Sequence, residues 1–142
     1  MALRVVLDTS VVVAALRTRS GAGNAVLRLV ADQRIIPLAT PPLFFEYEEV
    51  LRRPEQQLVH GLTENDIDDF LAELAALVEP VELHFRLRPQ LTDAKDEMVL
   101  EAAINGRASA LITYNISDFA PARRRFRLPI LTPAQLLAKV RK

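Results

Sequence analysis

Asp8, Asp96, Asn115 and one of the pair Glu46 and Glu48 carry side-chain oxygens at positions from which a hydrolytic site could be built. Carboxylates gathered in one pocket repel, and the usual remedies are raised pKa values or a bound cation. Their oxygens are hard donors that favour Mg²⁺ or Mn²⁺ over Zn²⁺. Such ions polarise a phosphoryl oxygen, activate water and stabilise the oxygen that leaves in line with it, which is the chemistry of metal-dependent nucleases. The 142 residues include no Cys and just two His, His60 and His84, without ligand-like spacing to each other or to the acids. Thiolate zinc sites, disulfides and cysteine nucleophiles are thereby excluded, and any metal must be held mainly by oxygen.

The elements around these residues explain why they stand out. In open parallel sheets the functional crevice lies beyond the carboxyl ends of the strands. Asp8 directly follows the apolar run Arg4-Val5-Val6-Leu7, and Asn115 closely follows Leu111-Ile112-Thr113. Helical phase tests the other acids. At about 100° per residue, Leu100 and Ala103 share the face of Asp96, while Glu97, Glu101 and Asn105 fall on the opposite face and are expected to be wet. A carboxylate on the apolar side of a helix is costly unless paired, protonated or metal-bound, so Asp96 outweighs its neighbours. On the helix expected over 41–53, phase excludes Glu49 and leaves Glu46 and Glu48 on the two borders of the apolar face.

Strands are expected at 3–7, 35–39, around Val81 and Leu83, at 110–113 and at 128–131. Pro37 lies inside the second and removes one backbone donor from its pairing. Helices are expected to start at Asp8-Thr9-Ser10 and to cover 21–33, 41–53, a segment from about Thr63, 95–107 and a last segment opened by Thr132-Pro133. Alternation of this kind points to a single α/β domain over residues 1–142, a parallel sheet with helices on both faces. Half of the residues are hydrophobic, enough for a real core. The apolar N-terminal stretch is interrupted by Arg4 and Asp8 and is too short to span a bilayer, so a cytoplasmic protein is expected. Eighteen basic and 18 acidic residues cancel, so whole-molecule charge does not advertise a nucleic-acid binder.

The segments VVLDTSVVVAAL, LFFEYEEVLRRP, DAKDEMVLEAA and ALITYNISDF, in this order and spacing, resemble the PIN-domain family, most closely its toxin-component, VapC-like branch. The resemblance spans nearly the whole chain, ending with LPILTPAQLL. It implies a three-layer α/β/α sandwich and a Mg²⁺- or Mn²⁺-dependent ribonuclease site. Carried over by position, it implies Asp8, Glu46, Asp96 and Asn115 as catalytic and metal-ligating residues, deciding for Glu46 over Glu48. Thr9, Asp93, Thr113 and Asp118 are implied as support. Many members carry Asp where this chain has Asn115, which keeps an oxygen donor but loses a charge. An antitoxin protein and a homodimer are the partners the resemblance implies, beside an RNA substrate.

Plainer roles compete for each residue. Asp8 or Ser10 could cap the first helix, Asp93 could cap a later one with Asp96 in its first turn, and Glu46 could pair with Arg52 or Arg53. The acidic run Glu64, Asp66, Asp68 and Asp69 reads as a solvated helix start after Thr63, not a metal site. Arg123, Arg124, Arg125 and Arg127 could steer a phosphate backbone, or simply form a solvated connector. Phe45 falls on the outer face of its helix, as a partner-contacting residue would. The expected function is an endoribonuclease acting as the toxin of a toxin–antitoxin pair. The alternative is a PIN-fold module that binds RNA or protein with weak or no cleavage. An aspartic protease would need two Asp-Thr-Ser loops in an all-β frame, and this chain has one, leading into a helix.

Overall fold

The computed structural model describes residues 2–86 and 88–141. Its strands β1 (Leu3–Leu7), β2 (Ile35–Ala39), β3 (Glu79–Pro80), β4 (Ala110–Ile112) and β5 (Ile130–Leu131) form one all-parallel sheet in the order β3-β2-β1-β4-β5. The central strand β1 is Val-rich because both its faces are covered: Val5, Val6 and Leu7 are at most 1% exposed. Pro37 is tolerated in β2 because β3 pairs only with Leu38 and Ala39, so the third strand begins past the missing N–H. That third strand sits earlier than the expected Val81 and Leu83. Val81 is buried and its N–H still reaches the Ala39 carbonyl, but the paired residues are Glu79 and Pro80.

The helices are α1 (Thr9–Arg17), α2 (Ala22–Ala31), α3 (Pro41–Leu51), α4 (Pro54–His60), α5 (Glu64–Leu77), α6 (Ala94–Gly106), α7 (Ile116–Arg125) and α8 (Pro133–Val140). They flank both faces of the sheet, giving a three-layer α/β/α sandwich: α6 lies against β1, β2 and β4, while α2 packs on α1, α8 and β2. The cap signals are used as the sequence promises. Thr40 accepts the Leu43 N–H ahead of Pro41, and Thr63 and Thr132 each form a capping box, with Asp66 and Gln135. Around Thr63 the acidic run is indeed a solvated helix start, with Glu64 and Asp68 ion-paired to Arg52. His60 ends α4, one ring nitrogen accepting the Leu62 N–H and the other beside the Leu51 carbonyl.

Two helices were not legible. Arg53-Pro54 reads as the end of a helix, yet Pro54 opens α4, where a proline at the first turn loses no hydrogen bond. Over 116–125, where a loop and connector are expected, α7 forms on the buried Phe119 and Ala122.

One expectation is overturned. Glu97 and Glu101 are only 3% and 4% exposed, not on a wet face. The segment after β3 folds back over that side of α6. Arg88 makes two hydrogen bonds to the Glu101 carboxylate, at 2.8 and 3.1 Å, and Glu97 Oε1 accepts the N–H groups of Gln90 and Leu91, both at 2.6 Å. Asn105 completes the clasp, accepting from the backbone N–H groups of His84 and Phe85 and donating to the Phe85 carbonyl. Phase ranks faces by polarity, and here charged groups are buried by being paired.

Candidate active site

From β1 the chain runs outward through β2 to β3 on one side of the sheet, then returns to place β4 and β5 on the other. The order therefore reverses between β1 and β4, the kind of switch point beyond whose carboxyl ends ligands bind in open parallel sheets. Asp8 stands at the end of β1, its N–H bonded to the Ile112 carbonyl at 2.8 Å, and Thr113 stands at the end of β4.

Asp8 occupies the N-cap position of α1, yet its side chain makes no capping hydrogen bond, so the plainer role for it fails. Its carboxylate is only 6% exposed and accepts instead from Thr113 Oγ1 at 2.7 Å and Ser10 Oγ at 2.8 Å. Both donors hold the carboxylate oxygen Oδ2. The fully buried Thr113 also accepts the Asn115 N–H at 2.9 Å, and Ser10 accepts the Tyr114 N–H at 3.3 Å. The two strand ends are thus laced through one carboxylate.

Asp96 enters from the first turn of α6 and is half-buried. Burial first, then the negative charges of Asp8, Asp93, Asp118 and Glu97, push its carboxyl up to about 6. Asp93 is the N-cap of α6 and accepts the Lys95 N–H at 2.8 Å, so its capping role stands. Asn115 is the N-cap of α7 without a side-chain capping bond, and the exposed Asp118 lies one turn on. Thr9 opens α1 beside Asp8, partly buried.

Helical phase leaves Glu46 and Glu48 open, and tertiary contacts separate them. Glu48 pairs with Arg52 and Glu49 with Arg53, both toward solvent. Glu46 is 9% exposed and faces α6, where Lys95 Nζ lies 3.7 Å from its Oε1. Its neighbour Tyr47 donates its hydroxyl to the Leu7 carbonyl, anchoring α3 beneath Asp8. Burial and the Asp8 charge drive that hydroxyl far above its ordinary value, so it stays protonated.

A divalent cation suits this donor chemistry: the candidate side chains offer oxygens, and burial together with neighbouring carboxylates raises the Asp96 carboxyl to about 6. Among the described residues, however, no three His, Asp or Glu side chains stand close enough together to hold a metal ion as they are. Ser10, Tyr47 and Tyr114 are site residues that sequence reasoning did not pick out as such. Asp-Thr-Ser after an apolar strand was the available signal for Ser10; nothing local distinguishes Tyr47 from a core aromatic.

Fold and site together define an α/β protein with acidic side chains at the switch point of a parallel sheet. The family model for the PIN domain matches residues 4–117, and the chain belongs to the PIN-domain family. No curated protein matches it in sequence. Among solved structures, the crystal structure of VapBC2 from Rickettsia felis bound to a DNA fragment from their promoter is similar in fold, with a TM-score of 0.62 and 17% identity, covering 92% of this chain and 98% of that chain.

Proposed function

We propose that this chain is a Mg²⁺- or Mn²⁺-dependent endoribonuclease and the toxin component of a toxin–antitoxin pair. The observation that carries the reading is the buried Asp8 carboxylate at the switch point, held by Ser10 and Thr113 and near enough to Asp96 for its charge to add to burial in raising that carboxyl. Burial and mutual repulsion of carboxylates cost stability that a bound cation would return. Asp8, Glu46 and Asp96 are the residues that would hold the ions, with Asn115 as a neutral fourth donor, and Thr9, Asp93, Thr113 and Asp118 in support. Bound there, the ions supply Lewis-acid stabilisation of the charge that develops on a cleaved phosphodiester.

The chain's own residues do the positioning. Ser10 and Thr113 hold the Asp8 carboxylate through its Oδ2. Lys95 keeps the buried Glu46 compensated until a cation competes for it. Arg123, Arg124 and Arg125 are exposed in the last turn of α7, at the far end of that helix from Asn115, and Arg123 donates to the Ile130 carbonyl at 2.9 Å, tying α7 to the sheet; any phosphate they meet would lie away from the acids. The similar VapBC2 structure supports an antitoxin as partner, and no described helix is long and apolar enough to cross a membrane. We place the protein in the cytoplasm, where RNA and such a partner are found, and infer a homodimer from the same resemblance.

Purified protein is incubated with labelled single-stranded and structured RNAs plus Mg²⁺ or Mn²⁺, with EDTA and Asp96→Asn as controls. Cleavage lost in both controls is expected. A binding module is the second reading, favoured by the neutral Asn115 and by the ungathered carboxylates. It takes over if RNA is bound but never cut, with metal binding also absent. The toxin assignment fails if the product of a neighbouring small reading frame neither binds nor inhibits.

A further inference from the structure

The large exposed apolar side chains among the described residues are Phe45, Leu58, Val59, Phe85 and Tyr114. Tyr114 is the one that stands between two site residues, Thr113 and Asn115. Its placement is held at both ends. The backbone N–H donates to Ser10 Oγ, itself bonded to the Asp8 carboxylate, while the hydroxyl accepts the N–H of Gly23 in the first turn of α2 at 3.0 Å. Gly23 is needed for that approach, since a Cβ there would lie 3.1 Å from the hydroxyl and close to the Val11 and Ala15 backbone. Tyr114 is 44% exposed although its backbone N–H and its hydroxyl are both engaged.

An exposed aromatic ring costs water contact, and a ring fixed at both ends has little orientation left to lose when something stacks on it. Nucleobases have a π-face whatever their identity, and single-stranded RNA is the form whose bases can turn outward onto an aromatic side chain. Pinning α2 to the site would explain the hydroxyl but leaves the exposed ring without a use.

We propose that Tyr114 is a stacking platform for the base of a nucleotide flanking the cleaved phosphate. This rests on the ribonuclease reading above. Tyr114 is then a substrate-binding residue whose ring, not its hydroxyl, makes the contact.

The test uses a short single-stranded oligoribonucleotide whose cut site has been mapped, and the same oligonucleotide with an abasic ribose on either side of that cut. For the wild type, KM is expected to rise about tenfold when the stacked base is missing, the size one base on an aromatic ring supports. Tyr114→Ala should show that higher KM with the intact substrate and become indifferent to the abasic position. Tyr114→Phe, which keeps the ring but loses the Gly23 hydrogen bond, should keep the base dependence. A 5-iodouridine probe photo-crosslinked in EDTA should attach to Tyr114, a readout independent of cleavage. If Phe behaves as Ala does, Tyr114 only pins α2 and the stacking proposal is overturned. Wild-type cleavage indifferent to the base, or crosslinks confined to other residues, overturns it too while leaving the nuclease standing. Wild type that neither binds nor cuts RNA removes the ribonuclease reading and the stacking with it.

Discussion

Asp8 shows how little a residue's type says until its partners are known. Asp after a strand and before a helix has the position of an N-cap, but its carboxylate turns to Ser10 and Thr113 instead. Thr113→Val would strip one charge-assisted hydrogen bond from a buried carboxylate and is expected to cost about 2 kcal/mol in urea denaturation, with Thr113→Ser retaining most of it. Equal stability of Val and Thr would show that the bond carries no weight. Asp96 makes a second prediction. Its folded pKa of about 6 lies above the ordinary 3.8, so between those values the metal-free fold holds a proton that the unfolded chain has lost. Stability from this group is therefore full below about pH 4 and is lost as pH rises through about 6. At pH 7 in EDTA, Asp96→Asn should be more stable than wild type by about 1 kcal/mol, the shift being discounted for the solvent that reaches this half-exposed group. The difference should vanish near pH 4; a wild type as stable as the variant at both pH values would contradict the raised carboxyl that burial and the neighbouring charges produce.

At the level of elements, α6 is where periodicity misled. Its apolar residues mark one face, but Glu97 and Glu101 sit buried on another because Arg88, Gln90 and Leu91 supply their partners from outside the helix. Arg88 is held firmly charged by the Glu101 carboxylate. No window on α6 alone contains Arg88 or the Gln90 and Leu91 N–H groups, so the pairing is invisible to phase. Glu97→Ala is expected to cost about 3 kcal/mol, since two hydrogen bonds to a buried carboxylate are lost and their donors left unpaired. Hydrogen exchange should then accelerate over residues 84–93, just ahead of Asp93 and Asp96; unchanged exchange there would mean that the clasp is held by other contacts. The helices α4 and α7 escaped notice for a related reason: α4 buries no residue fully and α7 only Phe119 and Ala122, too few to set up a readable period.

Across the whole molecule, the strand order brings together residues more than a hundred positions apart, with Thr113 bonded to Asp8. Net charge of zero conceals this concentration of negative charge at the switch point, while basic residues gather in the last turn of α7. A cation bound to the native state alone should stabilise it by about 2.7 kcal/mol at a hundredfold excess over its Kd. Mn²⁺ is accordingly expected to raise Tm at pH 7, to do so much less at pH 5 where a proton competes on Asp96, and to lose its effect in Asp8→Asn. A Tm that ignores Mn²⁺ in the wild type at pH 7 would argue for the binding module.

The sequence by itself determined the α/β class, four of the five strands closely, the caps at Thr40, Thr63 and Thr132, and the family, because strand runs, capping residues and the spacing of Asp8, Glu46, Asp96 and Asn115 are local or ordered along the chain. Tertiary structure alone decided that Glu46 meets Lys95 while Glu48 meets Arg52, that Glu97 and Glu101 are buried, and that Ser10 and Thr113 share one carboxylate oxygen. The physical reason is the same in each case. Burial of a charge is decided by the partner that compensates it, and those partners arrive from elsewhere in the chain only once the sheet has closed its order.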